Sequence, residues 1–156
     1  MPTDTTARWR PAWLALIQTH ATLWNETEAQ MRQDSGLTMA RYDVLMQLDI
    51  AGGRFGLSDL AAAILLSPSG LSKLVDRMAA AGLLRREPDP DDARSTFATI
   101  TPHGRRAVRK ARLSHHDWLD RVFGGALDDR DVADLTRIMS QIHARTPSSE
   151  RNTGSR

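Results

Sequence analysis

Apolar residues recur at steps of three and four along most of this chain, and that spacing predicts a mainly helical protein. The first long run, about 9–33, places Trp13, Ile17, His20, Trp24 and Met31 on one amphipathic stripe, with Gly36 as its stop. Thr38 is set to cap a second helix carrying Tyr42, Leu45, Met46 and Leu48, which Gly52-Gly53 ends. Ser58 is placed to cap a short third helix from Asp59 to about Leu65. Ser67-Pro68 is the sharpest start signal in the chain. Serine accepts an orphan backbone N–H, and proline at the first helical position gives up no bond the helix would have made. That fourth helix runs to about Ala81, with Gly82 positioned to terminate it in a left-handed conformation. Thr101-Pro102 repeats the signal for a fifth helix reaching Phe123. Asp128 and Asp131 open a sixth, which carries Val132, Leu135, Ile138, Met139 and Ile142.

Only the segment 94–100 has the residue types of a strand. Leu83 to Glu87 precedes it, and Pro88-Asp89-Pro90-Asp91-Asp92 between them cannot be helical, so the two flanks are expected to pair as a β-hairpin. The third and fourth helices are separated by only Leu66-Ser67, the spacing of a helix-turn-helix. On the fourth helix Leu71, Leu74, Val75 and Met78 fall in one arc, while Ser69, Ser72, Lys73, Asp76, Arg77 and Ala80 fall opposite. An ordinary surface helix has this pattern too. It also suits a DNA major groove: Ser69, Gly70 and Ser72 are short enough for close approach, and Lys73 and Arg77 can reach guanine acceptors or phosphates. The fold expected is mainly α with a small β-hairpin wing, a winged helix-turn-helix of six helices.

Charge supports the same segment. Residues 54–112 hold eleven Lys and Arg against six Asp and Glu, a net +5, which leaves −3 for the remainder of a chain whose total is +2. A basic middle between less basic flanks is the footprint of a polyanion-binding lobe. Arg94, just past the hairpin tip, is placed to enter a narrow minor groove, where arginine is favoured. Asp92 and Asp76 are each near enough in sequence or fold to orient an arginine by a charge-assisted bond, and turn geometry alone accounts for Asp89 and Asp91.

Other classes fare worse. Cysteine is absent, which excludes disulfides, thiol sensing and thiolate metal sites. Five histidines raise metal sensing, but His115 and His116 point about 100° apart on a helix and no i, i+4 pair exists, so no metal or cofactor is expected. No phosphate-cradling glycine loop or nucleophile elbow occurs, so an enzyme is not expected. No apolar run approaches the roughly 20 residues of a spanning helix, and no secretory segment follows Met1. The expected location is the cytoplasm.

The segments Leu37 to Leu45, Leu57 to Ala61, Ser67 to Met78, Gly82 to Arg86 and Asp92 to Ser95, leading into Ile100 to Gly104, follow one another at a recognisable spacing. Together they resemble the MarR (multiple antibiotic resistance regulator) family over roughly residues 10–143. The resemblance implies a single domain across 1–156, with a DNA-binding lobe at 37–101. Dimerisation helices would occupy 8–36 and 102–145, and disordered tails 1–7 and 146–156. It implies a homodimer on double-stranded DNA, each subunit reading half of a near-palindromic operator. Pro68, Ser69, Gly70, Ser72, Lys73 and Arg77 would lie at the major groove and Arg94 at the wing. The family default is a repressor released by a small aromatic or phenolic ligand. Trp13, His20, Trp24 and Tyr42 then become candidate pocket walls, with Arg41 or a histidine to meet a carboxylate, although aromatics at helical spacing more often serve core or dimer packing. A winged helix used only for protein contacts, or a metal-responsive regulator, are the competing readings.

Overall fold

Each helix start signal in the sequence is a short polar side chain, and the computed structural model shows what most of them hold. It describes residues 5–64, 66–89, 92 and 95–145. Two compact units divide the chain, residues 1–118 and 119–156. Among the described residues there are six helices and three strands. In order they are α1 (Thr5–Ser35), α2 (Met39–Ile50), β1 (Arg54–Gly56), α3 (Leu57–Ala63), α4 (Pro68–Ala80), β2 (Leu84–Pro88), β3 (Thr96–Ile100), α5 (Pro102–Val122) and α6 (Asp129–Arg145).

In the first unit Thr38 caps α2 by accepting from Arg41 N, and Ser67 caps α4 by accepting from Gly70 N. The far end of α4 closes with Gly82 at φ +69°, where a Cβ would be strained. There Leu83 N donates to Met78 O at 3.0 Å and Gly82 N to Ala79 O at 2.9 Å, satisfying the last carbonyls. α3 departs from the sequence reading. It begins at Leu57 behind Gly56, and no side chain caps it, so Ser58 lies inside the first turn. α1 is longer than its apolar stripe, running from Thr5 to Ser35 with Pro11 inside it.

The sheet has the order β1-β3-β2, both pairs antiparallel. β1 was not expected. At three residues it shows no periodicity of its own, and it exists because Arg54, Phe55 and Gly56 pair with Thr99, Ala98 and Phe97. Leu45, Leu48, Leu60, Leu71, Val75, Met78, Leu84 and Val108 are almost wholly buried and form the centre of one core joining α2, α3, α4, the sheet and α5. Asp49 on α2 braces α5 to this core, meeting Arg105 at 3.2 Å and Arg112 at 2.6 Å.

In the second unit Asp128 and Asp131 form the reciprocal cap of α6. Asp131 N donates to Asp128 Oδ1 at 2.8 Å, and Asp128 N donates to Asp131 Oδ2 at 3.2 Å. No residue of α6 is buried, and Val132, Leu135, Ile138, Met139 and Ile142 remain exposed. No helix among the described residues is long and apolar enough to cross a membrane.

The start of α5 is the tightest joint in the first unit. The Thr101 hydroxyl accepts from Gly104 N at 3.0 Å and donates to Gly82 O at 2.6 Å. A side chain at Gly104 would press on the Leu83 carbonyl oxygen, which is backbone and cannot rotate away. Gly104→Ala is therefore expected to destabilise the chain by about 1–3 kcal/mol, the usual cost of overpacking, as read by urea unfolding.

Candidate nucleic-acid interface

Helix α4 is oriented by what it buries. Leu71, Leu74, Val75 and Met78 are each at most 7% exposed, and they turn the opposite arc to solvent. Pro68, Ser69, Lys73, Asp76, Arg77 and Ala80 are exposed there, with Gly70 and Ser72 half-buried at its margins. Six of the predicted major-groove residues thus share one helix, and the described residues leave most of its polar arc open. The first turn is pre-set by Ser67 and Pro68, leaving its N-terminal end open to an anion.

The arc has two flanks that meet different neighbours. On one, Arg86 of β2 reaches back to α4, its Nη1 donating to Asp76 Oδ1 at 2.5 Å and to Ser72 Oγ at 3.3 Å. Asp76 therefore holds an arginine, and that arginine is Arg86. Arg86 is not among the site residues expected from the sequence, although a signal for it is present there. Strand alternation from buried Leu84 puts Arg86 on the inward face, opposite Ala98, whereas Arg85 and Glu87 face outward. The outward face is held by Glu87, which lies 3.8 Å from Arg54 and 3.5 Å from Arg85 and accepts from the Thr99 hydroxyl at 2.9 Å. Arg54 also covers the Phe97 ring at 3.7 Å. At the tip, Asp92 accepts from the Ser95 hydroxyl at 2.9 Å and Asp89 N donates to Ser95 O, so Asp92 shapes the turn. Arg94 lies outside the described residues.

On the other flank, Arg77 and Leu74 help line a cavity of about 520 Å³ shared with α1 and the start of α2. Trp24, Glu28, Arg32 and Arg41 are among its other walls. Of the predicted ligand residues, Trp24 and Arg41 meet here. His20 only stacks on Trp24, at 6.1 Å, and does not line the cavity. Trp13 is 61% exposed elsewhere on α1, and Tyr42 is in the core at 6%.

Tyr42 instead meets His115 edge-on at 5.4 Å, and His115 stacks on Trp118 at 6.0 Å. Burial raises the pKa of Tyr42, against the lowering pull of Arg112, and burial also raises that of Asp43. Burial, with the neighbouring His116, lowers that of His115, whose buried Nδ1 has no hydrogen-bond partner among the described residues.

A helix-turn-helix with its second helix open to solvent, beside a hairpin tied to that helix, defines a winged helix-turn-helix protein. Comparison with solved structures found AbsC, a MarR family transcriptional regulator from Streptomyces coelicolor. It is 33% identical, with 92% of this chain and 95% of that one covered, and has a TM-score of 0.82. Sco3205 from the same organism, a MarR family regulator solved in complex with DNA, is 27% identical over 95% and 94% of the two chains, with a TM-score of 0.84. An organohalide-sensing regulator solved in its 2,4-dichlorophenol-bound form is 16% identical over 99% and 92%, with a TM-score of 0.83, and shares the fold. A sequence profile described as the MarR family matches residues 35–95. No curated protein sequence matched significantly. The chain belongs to the MarR family of transcriptional regulators, which are not enzymes.

The half-buried His115 generates a pH dependence. Above pH 6.5 His115 is neutral whether the chain is folded or not, and it costs nothing. As pH falls below 6.5 the unfolded chain takes up the proton first, so stability is lost down to the lowered folded pKa. Chemical unfolding of His115→Phe across pH 5–7 is expected to show a shallower acid loss than the unaltered protein.

Proposed function

We propose that this chain is a sequence-specific double-stranded DNA-binding regulator, working as a homodimer on a near-palindromic operator. The observation that carries the reading is the uncovered arc of α4, where Ser69, Lys73 and Arg77 stand clear of a buried apolar side. A rigid helix with short residues near its N-terminus and cations further along fits a major groove. The Arg86–Asp76 bond fixes the wing beside it, so one docking event presents both elements. Similarity to a regulator solved on DNA supports the same reading.

The dimer is supported by apolar surface that the described residues leave open. Trp9, Trp13, Leu14 and Ile17 on α1 are 44–61% exposed, and α6 carries the exposed stripe already described. A second copy burying these faces would assign 8–36 and 102–145 to dimerisation and 37–101 to the DNA-binding lobe. Two-fold symmetry then sets the recognition helices roughly 34 Å apart, one duplex turn. Within this scheme the regulator is a repressor that a small aromatic or phenolic ligand releases.

The test uses a duplex enriched from a random pool by the full-length protein. Between 50 and 200 mM salt its affinity is expected to fall about a thousandfold or more, because several phosphates lose their counterions. Lys73→Ala is expected to cost about 1–3 kcal/mol and to relax preference at one operator position, as read by binding to a panel of single-base variants. An affinity flat with salt favours a winged helix used for protein contacts instead.

A further inference from the structure

The basic excess of the chain does not lie on its reading lobe. Residues 37–101 hold seven Lys and Arg against eight Asp and Glu, whereas residues 102–116, at the start of α5, hold five Lys and Arg and no acid. Two of those five, Arg105 and Arg112, are used inside the fold, where they meet Asp49. The other three, Arg106, Arg109 and Lys110, are exposed, and none of them has an ion pair among the described residues. They stand three and four residues apart on one face of α5, where like charges repel and weaken a helix. Asp117 is the first acid beyond them. This face is also fixed relative to α4. β3 runs into α5 through Thr101, whose hydroxyl donates to Gly82 O just past the end of α4, and Gly104 lies against the Leu83 carbonyl with no room for a side chain.

We propose that the face of α5 carrying Arg106, Arg109 and Lys110 is a second, sequence-independent DNA contact, which holds the phosphate backbone outside the base pairs that α4 reads. The inference rests on the DNA-binding reading above and adds a surface to it. Duplex DNA carries one negative charge per roughly 1.7 Å of its axis, so the roughly 6 Å of α5 from Arg106 to Lys110 matches a length that holds several phosphates. Long, solvated cations suit that backbone, since contacts to phosphate set position and read no base edge. A second copy of the chain is a poor occupant, because a two-fold contact through this face would set like charges against one another. The apolar surfaces open to self-association lie instead on α1 and α6. With acids outnumbering cations on the reading lobe, the α5 face supplies the field that draws the duplex in, and α4 supplies the choice of sequence.

The test compares the full-length protein with the triple variant Arg106→Gln, Arg109→Gln and Lys110→Gln. One probe is the enriched duplex trimmed to the operator, and the other carries about ten further base pairs of arbitrary sequence, one duplex turn, on each side. Lengthening is expected to tighten binding at least fivefold for the unaltered protein and less than twofold for the triple variant. The triple variant's affinity for the long duplex is expected to fall less steeply with salt, its logarithmic slope shallower by about two to three per subunit. Its order of preference on the single-base panel is expected to stay as it was. Arg106→Lys combined with Arg109→Lys keeps the charge and is expected to keep the gain. No gain for the unaltered protein, an equal gain in the triple variant, or a gain lost in the lysine variant overturns the contact and leaves the regulator reading standing. A shifted base preference in the triple variant overturns the sequence independence. A triple variant that sediments as a monomer overturns the contact too, by assigning the face to self-association. A protein that enriches no duplex from the pool overturns both readings together.

Discussion

Leu71, Leu74, Val75 and Met78 are removed from water on one arc of α4, and their burial fixes the rotation of that helix about its own axis. Each such side chain contributes about 1.5–3 kcal/mol, whereas an exposed ion pair contributes about 0–1 kcal/mol. The apolar arc therefore decides which residues face outward, and polar contacts such as Arg86–Asp76 adjust a helix already in place. The open arc, the attachment of the wing and the position of Arg77 all descend from that choice.

The consequence is a recognition helix with a division of labour around its circumference. Ser72 and Asp76 lean toward β2, where Arg86 holds them. Ser69 and Lys73 occupy the open centre, and Arg77 overlooks the cavity.

Capping and termination were legible in the residues because they are local. Thr38, Ser67, Thr101 and the Asp128–Asp131 pair satisfy backbone groups within three residues of themselves, and Gly82 relieves a strain set by its own φ. Where local chemistry is ambiguous, distant pairing decides. Ser58 is an eligible cap, yet α3 begins before it at Leu57, because β1 pairs with β3 through Gly56 and hands the chain over at that point. Trp13, Trp24 and Tyr42 sit at helical spacings that do not distinguish solvent, cavity and core, and the three went to three different surroundings.

The sequence by itself determined the helices, the hairpin and the apolar arc of α4, since each rests on periodicity or on a cap only a few residues away. Only the tertiary structure decided that β1 exists, that Asp76 pairs with Arg86, and that Arg41 and Arg77 border one cavity. Those facts depend on which distant segments are brought within a few ångströms, and packing of the whole core sets that distance. No spacing along the chain encodes it.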